Sequence, residues 1–211
     1  MIGILWDLDG TLLDTLQDLT DAVNHSLGCF GYPERTMEEV RRFVGNGTRR
    51  LIDQAVPEGA DPNPVFEEYQ TYYSAHCQIK TRPYAGIMEA LAYLGEKYPM
   101  AIVSNKPDRA VKPLCRLHFP GIFALGEAEG CPRKPAPDMV YKAMSEIGVD
   151  RCVYVGDSEV DVITAKNAGA VCLSVLWGFR DRKEIEEMGG THFCTDPSQL
   201  AEKIEEIIHG Q

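Results

Sequence analysis

The sequence predicts an α/β protein, with a doubly wound parallel-sheet (Rossmann-like) core and an inserted small all-helical cap domain. From about residue 81 onward, helical and strand patterns alternate, which is typical of right-handed βαβ units in a parallel sheet. The opening stretch, residues 2–6, is apolar apart from Gly3, as expected for a strand buried on both faces of such a sheet. Between these two regions, residues 15–80 contain only helix and turn signals.

The chain is therefore predicted to form two domains. Residues 1–14 and 81–211 form the α/β core domain with the catalytic site, because the opening strand has the same character as the later ones. Residues 15–80 form the helical cap domain. Its predicted helices run from Asp14-Thr15 to about Leu27, from a capping box at Thr36 and Glu39, from Arg49 to Ala55, and from Val65 to about Gln78.

Each element of the core follows from its apolar pattern. Short apolar runs bounded by turn residues predict strands, and apolar residues three and four apart predict helices. The predicted strands cover residues 100–104, 122–125, 152–155, 171–175 and 192–194. The predicted helices cover residues 87–97, 108–118, 138–147, 159–168 and 198–208, with one further short helix before the last strand.

Composition limits the classes of function. The 211 residues carry a net charge of −11, with 44% apolar and 25% charged residues, which is typical of a soluble globular protein. No basic run offers the phosphate contacts that nucleic acid binding needs. No apolar run approaches the ~18–20 residues of a membrane span, and no signal-peptide pattern opens the chain. We therefore expect a cytoplasmic protein that binds neither nucleic acid nor membrane, with monomer and homodimer both open.

The cysteines and histidines predict no metal site. The seven cysteines include no C-x-x-C pair, and the five histidines show no metalloprotease spacing. We expect buried, reduced thiols, since free cysteine behaves as a small apolar residue.

Polar residues stand just after several predicted strands. In an open α/β sheet, ligands bind outside the carboxyl ends of the strands, so these side chains are expected to meet. They are Asp7, Asp9, Gly10 and Thr11, then Ser104, Asn105 and Lys106, then Lys134, and finally Asp157, Ser158 and Asp161. Neighbouring carboxylates repel each other unless a cation lies between them, and Mg²⁺ is the usual one. An anionic substrate also needs a local cation in so acidic a protein, and Lys134 is available.

These residues resemble the four motifs of the haloacid dehalogenase-like hydrolase superfamily. The motifs are Asp7-Leu8-Asp9-Gly10-Thr11-Leu12, Ser104-Asn105, Lys134-Pro135 and Gly156-Asp157-Ser158-Glu159-Val160-Asp161. The helical stretch 15–80 matches the cap domain that family members carry after strand one, so the resemblance covers essentially the whole chain. It implies a Mg²⁺-dependent phosphomonoester hydrolase that acts on a small phosphorylated metabolite.

The resemblance implies a catalytic role for four residues. Asp7 is the nucleophile that attacks phosphorus and forms an aspartyl-phosphate. Asp9 protonates the leaving alkoxide and later activates the hydrolytic water. Ser104 and Lys134 hold the phosphoryl oxygens.

The same resemblance implies a Mg²⁺ site. Its ligands are the Asp7 carboxylate, the Asp9 backbone carbonyl and the Asp157 carboxylate, completed by water and phosphate. Asp161, one helical turn beyond Asp157, is expected to orient a metal-bound water, with Ser158 beside it.

Substrate contacts are expected from both domains. The motif-one loop contributes Gly10 and Thr11, and motif two contributes Asn105. Residues 44–49 look like a cap loop of phosphoglycolate phosphatases, in which Gly47 enters the site and Arg49 is a candidate for a substrate carboxylate. We therefore expect 2-phosphoglycolate as the substrate.

Several alternatives stay open. Asp9 argues against a dehalogenase, and the lack of any lysine in residues 15–79 argues against a phosphonatase. A pyrophosphatase or a sugar-phosphate phosphatase or phosphomutase remains open, the mutase through His25. A catalytically silent binding or regulatory protein on this fold is the alternative from another class.

Overall fold

Six parallel strands form the central sheet. The computed structural model describes residues 1–210. The strands of the sheet are β1 (Ile2–Trp6), β4 (Met100–Pro107), β5 (Phe123–Glu127), β6 (Arg151–Gly156), β7 (Val171–Val175) and β8 (His192–Cys194), and two short strands outside it are β2 (Leu13–Asp14) and β3 (Arg82–Pro83). The order is β5-β4-β1-β6-β7-β8, with all neighbours parallel. The chain leaves β1 in the middle and builds outward on both sides, which creates a ligand crevice at its carboxyl end.

Four helices follow β1 as one insertion. They are α1 (Leu16–Cys29), α2 (Met37–Phe43), α3 (Thr48–Ala55) and α4 (Pro62–His76). The antiparallel pair β2–β3 joins the two chain segments that lead into and out of them. Beside this pair, the buried Asp18 carboxylate accepts the backbone N–H groups of Lys80 and Thr81 at 2.8–3.0 Å. The insertion is therefore fastened to the sheet at both of its ends.

The remaining helices cover both faces of the sheet. They are α5 (Ile87–Gly95), α6 (Asp108–His118), α7 (Asp138–Glu146), α8 (Glu159–Asn167), α9 (Arg182–Glu187) and α10 (Leu200–His209). Successive side chains of a strand point to opposite faces, so Ile4 and Trp6 join one apolar cluster and Leu5 joins the other. The first cluster continues into α5, α6, α10 and the helical insertion, and the second into α7 and α8. These features confirm the predicted α/β class.

Two element boundaries differ by three residues from the predicted ones, and one strand pair was not predicted. Helix α4 begins at Pro62 rather than Val65, because proline is tolerated in a first helical turn and Asp61 caps the turn through the Asn63 N–H. Strand β4 runs on to Pro107 rather than ending at Ser104. The β2–β3 pair was not predicted, since two residues are too few to show a strand period.

Of the predicted helix caps at Thr36 and Thr15, one forms its side-chain hydrogen bonds and the other does not. The capping box at Thr36 and Glu39 is confirmed, with both reciprocal hydrogen bonds formed. Thr15 is the N-cap of α1 as expected, but its hydroxyl makes no capping hydrogen bond. Within residues 1–210, no helix combines the length and apolar character needed to cross a bilayer.

Candidate active site

A small cavity lies between the carboxyl end of the sheet and the helical insertion. Its volume is about 50 Å³, room for only a few water-sized groups. The sequence-predicted residues that line it are Asp7, Asp9, Gly47, Ser104, Asn105, Lys134, Asp157 and Ser158. The insertion covers it with Leu19, Leu51, Tyr69 and Tyr73, among other residues. The structure therefore brings most of the predicted site residues to one cavity.

Asp7 and Lys134 form the centre of the cavity floor. Asp7 directly follows β1, and its backbone N–H donates to the Val155 carbonyl at 2.8 Å. The buried Lys134 Nζ lies 2.8 Å from Asp7 Oδ1, 2.8 Å from Asp161 Oδ1 and 3.0 Å from the Tyr154 hydroxyl. The buried Asp7 Oδ1 makes no aligned hydrogen bond, although it is paired with this cation. The Asp7 carboxylate therefore keeps unused acceptor capacity toward the cavity.

Asn105 holds the backbone that carries Lys134. Its Oδ1 accepts the Lys134 N–H at 2.8 Å, and its Nδ2 donates to the Lys134 carbonyl at 2.9 Å. The same Nδ2 lies 3.1 Å from the Gly45 carbonyl in the insertion. We expected Asn105 to bind substrate, but its amide is already engaged by backbone groups. Its place in the structure is that of a residue positioning Lys134 and linking core and insertion.

Gly10 and Thr11 support Asp157. The Thr11 hydroxyl donates to Asp157 Oδ1 at 3.0 Å, and the Phe179 N–H donates to Oδ2 at 2.7 Å. Gly10 has φ +82°, and a Cβ there would lie 2.3 Å from Asp157 Oδ2. Glycine is thus required both by conformation and by the approach of the carboxylate. The Thr11 hydroxyl, expected on the substrate, instead orients Asp157.

Asp161 serves Lys134 and the start of α8. Its Oδ2 accepts the Ser158 N–H at 3.1 Å and the Ser158 hydroxyl at 2.7 Å, which completes a capping box. Its other oxygen accepts Lys134. Both oxygens of this fully buried carboxylate therefore have protein partners, rather than the metal-bound water that the sequence suggested.

Three of these carboxylates are close enough to share a cation. One oxygen each of Asp7, Asp157 and Asp161 lies within 4.8 Å of the others. Burial raises the pKa of Asp7 well above its usual range, and raises that of Asp157 to about 7, with the Asp161 charge adding to both. Burial alone would lower the pKa of Lys134, but the charges of Asp161 and Asp7 raise it well above its usual value. All three shifts express one excess of negative charge in a dry site.

The donor set fits a divalent oxygen-seeking cation. The carboxylates of Asp7 and Asp157 both line the cavity with oxygens close to one another, and carboxylate oxygens are the ligands that Mg²⁺ prefers. The bridge between Asp9 and Leu13 uses the carbonyls of Leu8 and Leu13, so it leaves the Asp9 carbonyl available. A second grouping, His25, Cys29 and Glu68, lies in the insertion and does not line this cavity.

Lys106 was expected at a strand end but was given no role, and Tyr73 was not predicted as a site residue. Lys106 Nζ lies 2.9 and 3.1 Å from the two carboxylate oxygens of Asp9, and 2.6 Å from the Tyr73 hydroxyl of α4. Burial would lower the pKa of Lys106, but the Asp9 charge, the nearby Tyr69 and the hydrogen bond to Asp9 together raise it. Lys106 stands two residues after Ser104 in β4, so strand periodicity was the signal for its side-chain direction. No sequence signal linked it to Tyr73.

Arg49 does not reach the cavity. Its Nε lies 2.8 Å from Asp53 Oδ1 and its Nη1 lies 2.7 Å from Asn63 Oδ1, on a partly exposed face of the insertion. Its neighbour Gly47 does line the cavity, with φ +83° at the N-cap of α3. The sequence showed how far Arg49 stood from the glycine loop, but it did not show which way the first turn of α3 faces. The expected substrate contact of Arg49 is therefore corrected.

Arg180 is the cation that joins the insertion to the core. Its guanidinium donates to the Arg41 and Val44 carbonyls at 3.0 and 2.6 Å, at the C-terminal end of α2. Its Nε lies 3.0 Å from Glu159 Oε2 in α8. A cation at a helix C-terminus satisfies its unpaired carbonyls and complements its dipole. Arg180 therefore holds the insertion over the cavity.

Comparison with known proteins agrees with this geometry. Residues 4–175 match the model of the haloacid dehalogenase-like hydrolase family. A phosphoglycolate phosphatase of Mesorhizobium japonicum is 34% identical over 95% of both chains. Phosphoglycolate phosphatase 1 of Pseudomonas aeruginosa is 32% identical over 89% of this chain and 74% of its own.

A solved structure extends the agreement to the fold. A protein of Lactobacillus delbrueckii subsp. bulgaricus, provisionally named a phosphoglycolate phosphatase, superposes with a TM-score of 0.90 at 37% identity. The match covers 96% of this chain and 97% of that one. The family match, the two relatives and the superposition all indicate the same family. The chain belongs to the haloacid dehalogenase-like hydrolase family.

Proposed function

We propose that the chain is a Mg²⁺-dependent phosphatase that hydrolyses 2-phosphoglycolate through an aspartyl-phosphate at Asp7. Phosphatase activity is supported by the family and by relatives that carry that name. One observation carries the mechanism. The buried Asp7 carboxylate lies 2.8 Å from the Lys134 ammonium group, on the floor of a cavity that the insertion covers.

The chain's own residues supply the chemistry. Asp7 attacks phosphorus, and Lys134 stabilises the negative charge of the phosphoryl oxygens beside it. The Ser104 hydroxyl accepts the Lys106 N–H at 3.2 Å, which leaves its own proton to donate to the phosphoryl group. Asp9 protonates the leaving oxygen and then removes a proton from the water that attacks the aspartyl-phosphate.

Asp7, Asp157 and the Asp9 carbonyl would hold Mg²⁺. When bound, the ion neutralises phosphoryl charge and lowers the barrier to attack by another anion. Thr11 and the Phe179 N–H fix the orientation of Asp157 for this task. Asp161 acts through Lys134, because its Oδ1 accepts the Lys134 ammonium group at 2.8 Å.

Residues 15–80 act as a cap over residues 1–14 and 81–210. Leu19, Leu51 and the tyrosines of α4 line the cavity and would exclude water while the aspartyl-phosphate exists. A cavity of about 50 Å³ favours a substrate with few atoms beyond its phosphate. It disfavours sugar phosphates, and His25, which kept a mutase open, does not line it. Pyrophosphate is as small as phosphoglycolate and remains the second substrate to test.

A cytoplasmic location is part of the proposal. All seven cysteines are free, which is consistent with a reducing compartment.

The test is steady-state turnover of 2-phosphoglycolate, pyrophosphate, glucose 6-phosphate and p-nitrophenyl phosphate with Mg²⁺ or EDTA. We expect turnover that requires Mg²⁺ and favours 2-phosphoglycolate by at least tenfold in kcat/KM over the other three. Asp7→Asn should lower kcat by roughly 10³-fold or more with an unchanged melting temperature, because no other residue replaces the nucleophile. Activity that survives Asp7→Asn or EDTA would refute the mechanism, and a flat substrate profile would refute the substrate.

A further inference from the structure

We propose that Lys106 Nζ and the Tyr73 hydroxyl form a subsite for a carboxylate on the leaving group of the substrate. The proposal rests on the proposed function and names the chemical class that the site selects, which is phosphate esters of short 2-hydroxy acids. It gives Lys106 the role that the sequence suggested for Arg49.

Lys106 lies beside Asp9 inside the cavity. Its side chain is only 3% exposed, and both Lys106 and Tyr73 line the cavity. Nζ lies 2.9 and 3.1 Å from the carboxylate oxygens of Asp9. Asp9 is the group that meets the leaving oxygen, so Lys106 lies beside the place where the leaving group stands.

In this class of substrates, the carboxylate lies close to the ester oxygen. In a phosphate ester of a 2-hydroxy acid, the carboxylate is attached to the carbon that bears the ester oxygen. Covalent geometry therefore keeps a carboxylate oxygen about 3 Å from the ester oxygen. An ester oxygen within hydrogen-bond reach of Asp9 thus brings its carboxylate within reach of Lys106.

The donors of Lys106 can also serve a substrate carboxylate. An ammonium group has three N–H donors, and one each for Asp9 and the Tyr73 hydroxyl leaves the third for a carboxylate that enters beside Asp9. A neutral leaving group offers no opposite charge to this buried cation.

The other nearby cations are committed elsewhere. Lys134 pairs with Asp7 and Asp161 on the phosphoryl side. Arg180 is bound to carbonyls of α2 and to Glu159. Arg49 pairs with Asp53 outside the cavity. Lys106 is therefore the cation placed for the leaving group.

Tyr73 makes this subsite depend on the insertion. Its hydroxyl lies 2.6 Å from Nζ, and its ring stacks on Tyr69 at 5.2 Å. Both tyrosines belong to α4, whereas Lys106 and Asp9 belong to the core. The carboxylate subsite is therefore complete only when α4 covers the sheet.

The test compares 2-phosphoglycolate with 2-phosphoglycolamide, which differs from it by an uncharged carboxamide. We expect Lys106→Met to lower the ratio of their kcat/KM values at least tenfold, because a charged hydrogen bond is lost for one substrate only. Tyr73→Phe should lower the ratio two- to fivefold, and Lys106→Arg should retain most of it. Arg49→Met is the matched control and should leave the ratio unchanged.

The ratio of the two kcat/KM values distinguishes a lysine that binds the substrate carboxylate from one that only orients Asp9. If Lys106 only orients Asp9, Lys106→Met slows both substrates equally, and an unchanged ratio overturns the proposal. If Lys106→Met does not fold, a ratio unchanged by Tyr73→Phe and by Lys106→Gln overturns it as well.

Binding of both compounds to Asp7→Asn, measured by calorimetry with and without Lys106→Met, gives a readout that needs no turnover. Retained carboxylate preference in the double variant refutes the subsite. Loss of that preference supports the subsite even where the wild-type enzyme proves slow on 2-phosphoglycolate, an outcome that would count against the proposed function alone.

Discussion

The two sides of the cavity are built differently. On the phosphoryl side, Asp7, Lys134, Asp157 and Asp161 all come from the core, and their contacts lie between residues of strand ends and loops. On the leaving-group side, Asp9 and Lys106 come from the core but meet Tyr73 of the insertion. Under the proposed function, the core by itself would organise phosphoryl chemistry. Selection among substrates would be organised where the core and the insertion meet.

The two sides should respond differently when their carboxylates are neutralised. Asp9→Asn is expected to lower kcat by roughly 10²–10⁴-fold, because the leaving oxygen loses its proton donor. It should retain Mg²⁺ binding, since the metal uses the backbone carbonyl of Asp9. Asp157→Asn should lose Mg²⁺ binding measured by calorimetry. Loss of Mg²⁺ binding in Asp9→Asn would show that the two sides are not separable.

Lys134→Met tests whether the phosphoryl side acts on all phosphate esters alike. Lys134→Met should lower kcat by roughly 10²–10³-fold for every phosphate ester, because a preorganised charge on the phosphoryl group is lost. Unlike Lys106→Met, it should leave the preference for a carboxylate unchanged. Steady-state kinetics on 2-phosphoglycolate and 2-phosphoglycolamide measure both effects, and a changed preference would contradict the assignment of the two lysines.

The phosphoryl side should also be sensitive to pH. Mg²⁺ needs ionised carboxylates, and in the metal-free protein the pKa of Asp157 is raised to about 7. Apparent Mg²⁺ affinity should therefore fall by up to about tenfold per pH unit below pH 7 and level off above it. Calorimetric titration between pH 5.5 and 8.5 measures this, and a flat profile would contradict it.

The same raised pKa predicts the sign of a stability effect. Without metal, the folded protein keeps a proton on Asp157 that the unfolded chain releases near pH 4. Its contribution to the free energy of unfolding is therefore full below about pH 4 and is lost as pH rises to about 7. Asp157→Asn should flatten this part of the denaturation profile in EDTA.

Arg180→Met has the smallest expected effect and tests the contacts that hold the insertion against the core. Arg180→Met removes contacts with α2 and Glu159 from a residue that lines the cavity. We expect KM for 2-phosphoglycolate to rise three- to tenfold with kcat changed less than threefold, because the insertion covers the cavity less often. An unchanged KM with a reduced kcat would place Arg180 in the chemistry instead.

Much of the fold could be predicted because its signals are local. Buried strands such as Ile2–Trp6 and the capping box at Thr36 and Glu39 can be recognised from residues that lie close together in the sequence. The β2–β3 pair could not be predicted, since four residues far apart in sequence carry no period. Helix α4 was begun too late because its two prolines resemble a loop.

Sequence alone determined which strand ends carry carboxylates and a hydroxyl, because Asp7 and Asp157 directly follow their strands and Ser104 lies near the end of β4. It also placed Lys134 in the loop after β5. Only the tertiary structure decided which cation faces which carboxylate. Lys134 comes to Asp7 because Asn105 holds its backbone, and Lys106 comes to Asp9 because β4 continues past Ser104 to Pro107. Arg49 lies outside the cavity, where it pairs with Asp53 one turn later in α3 and with Asn63 of α4. Side-chain direction depends on how elements pack, and that information is spread over residues distant in the chain.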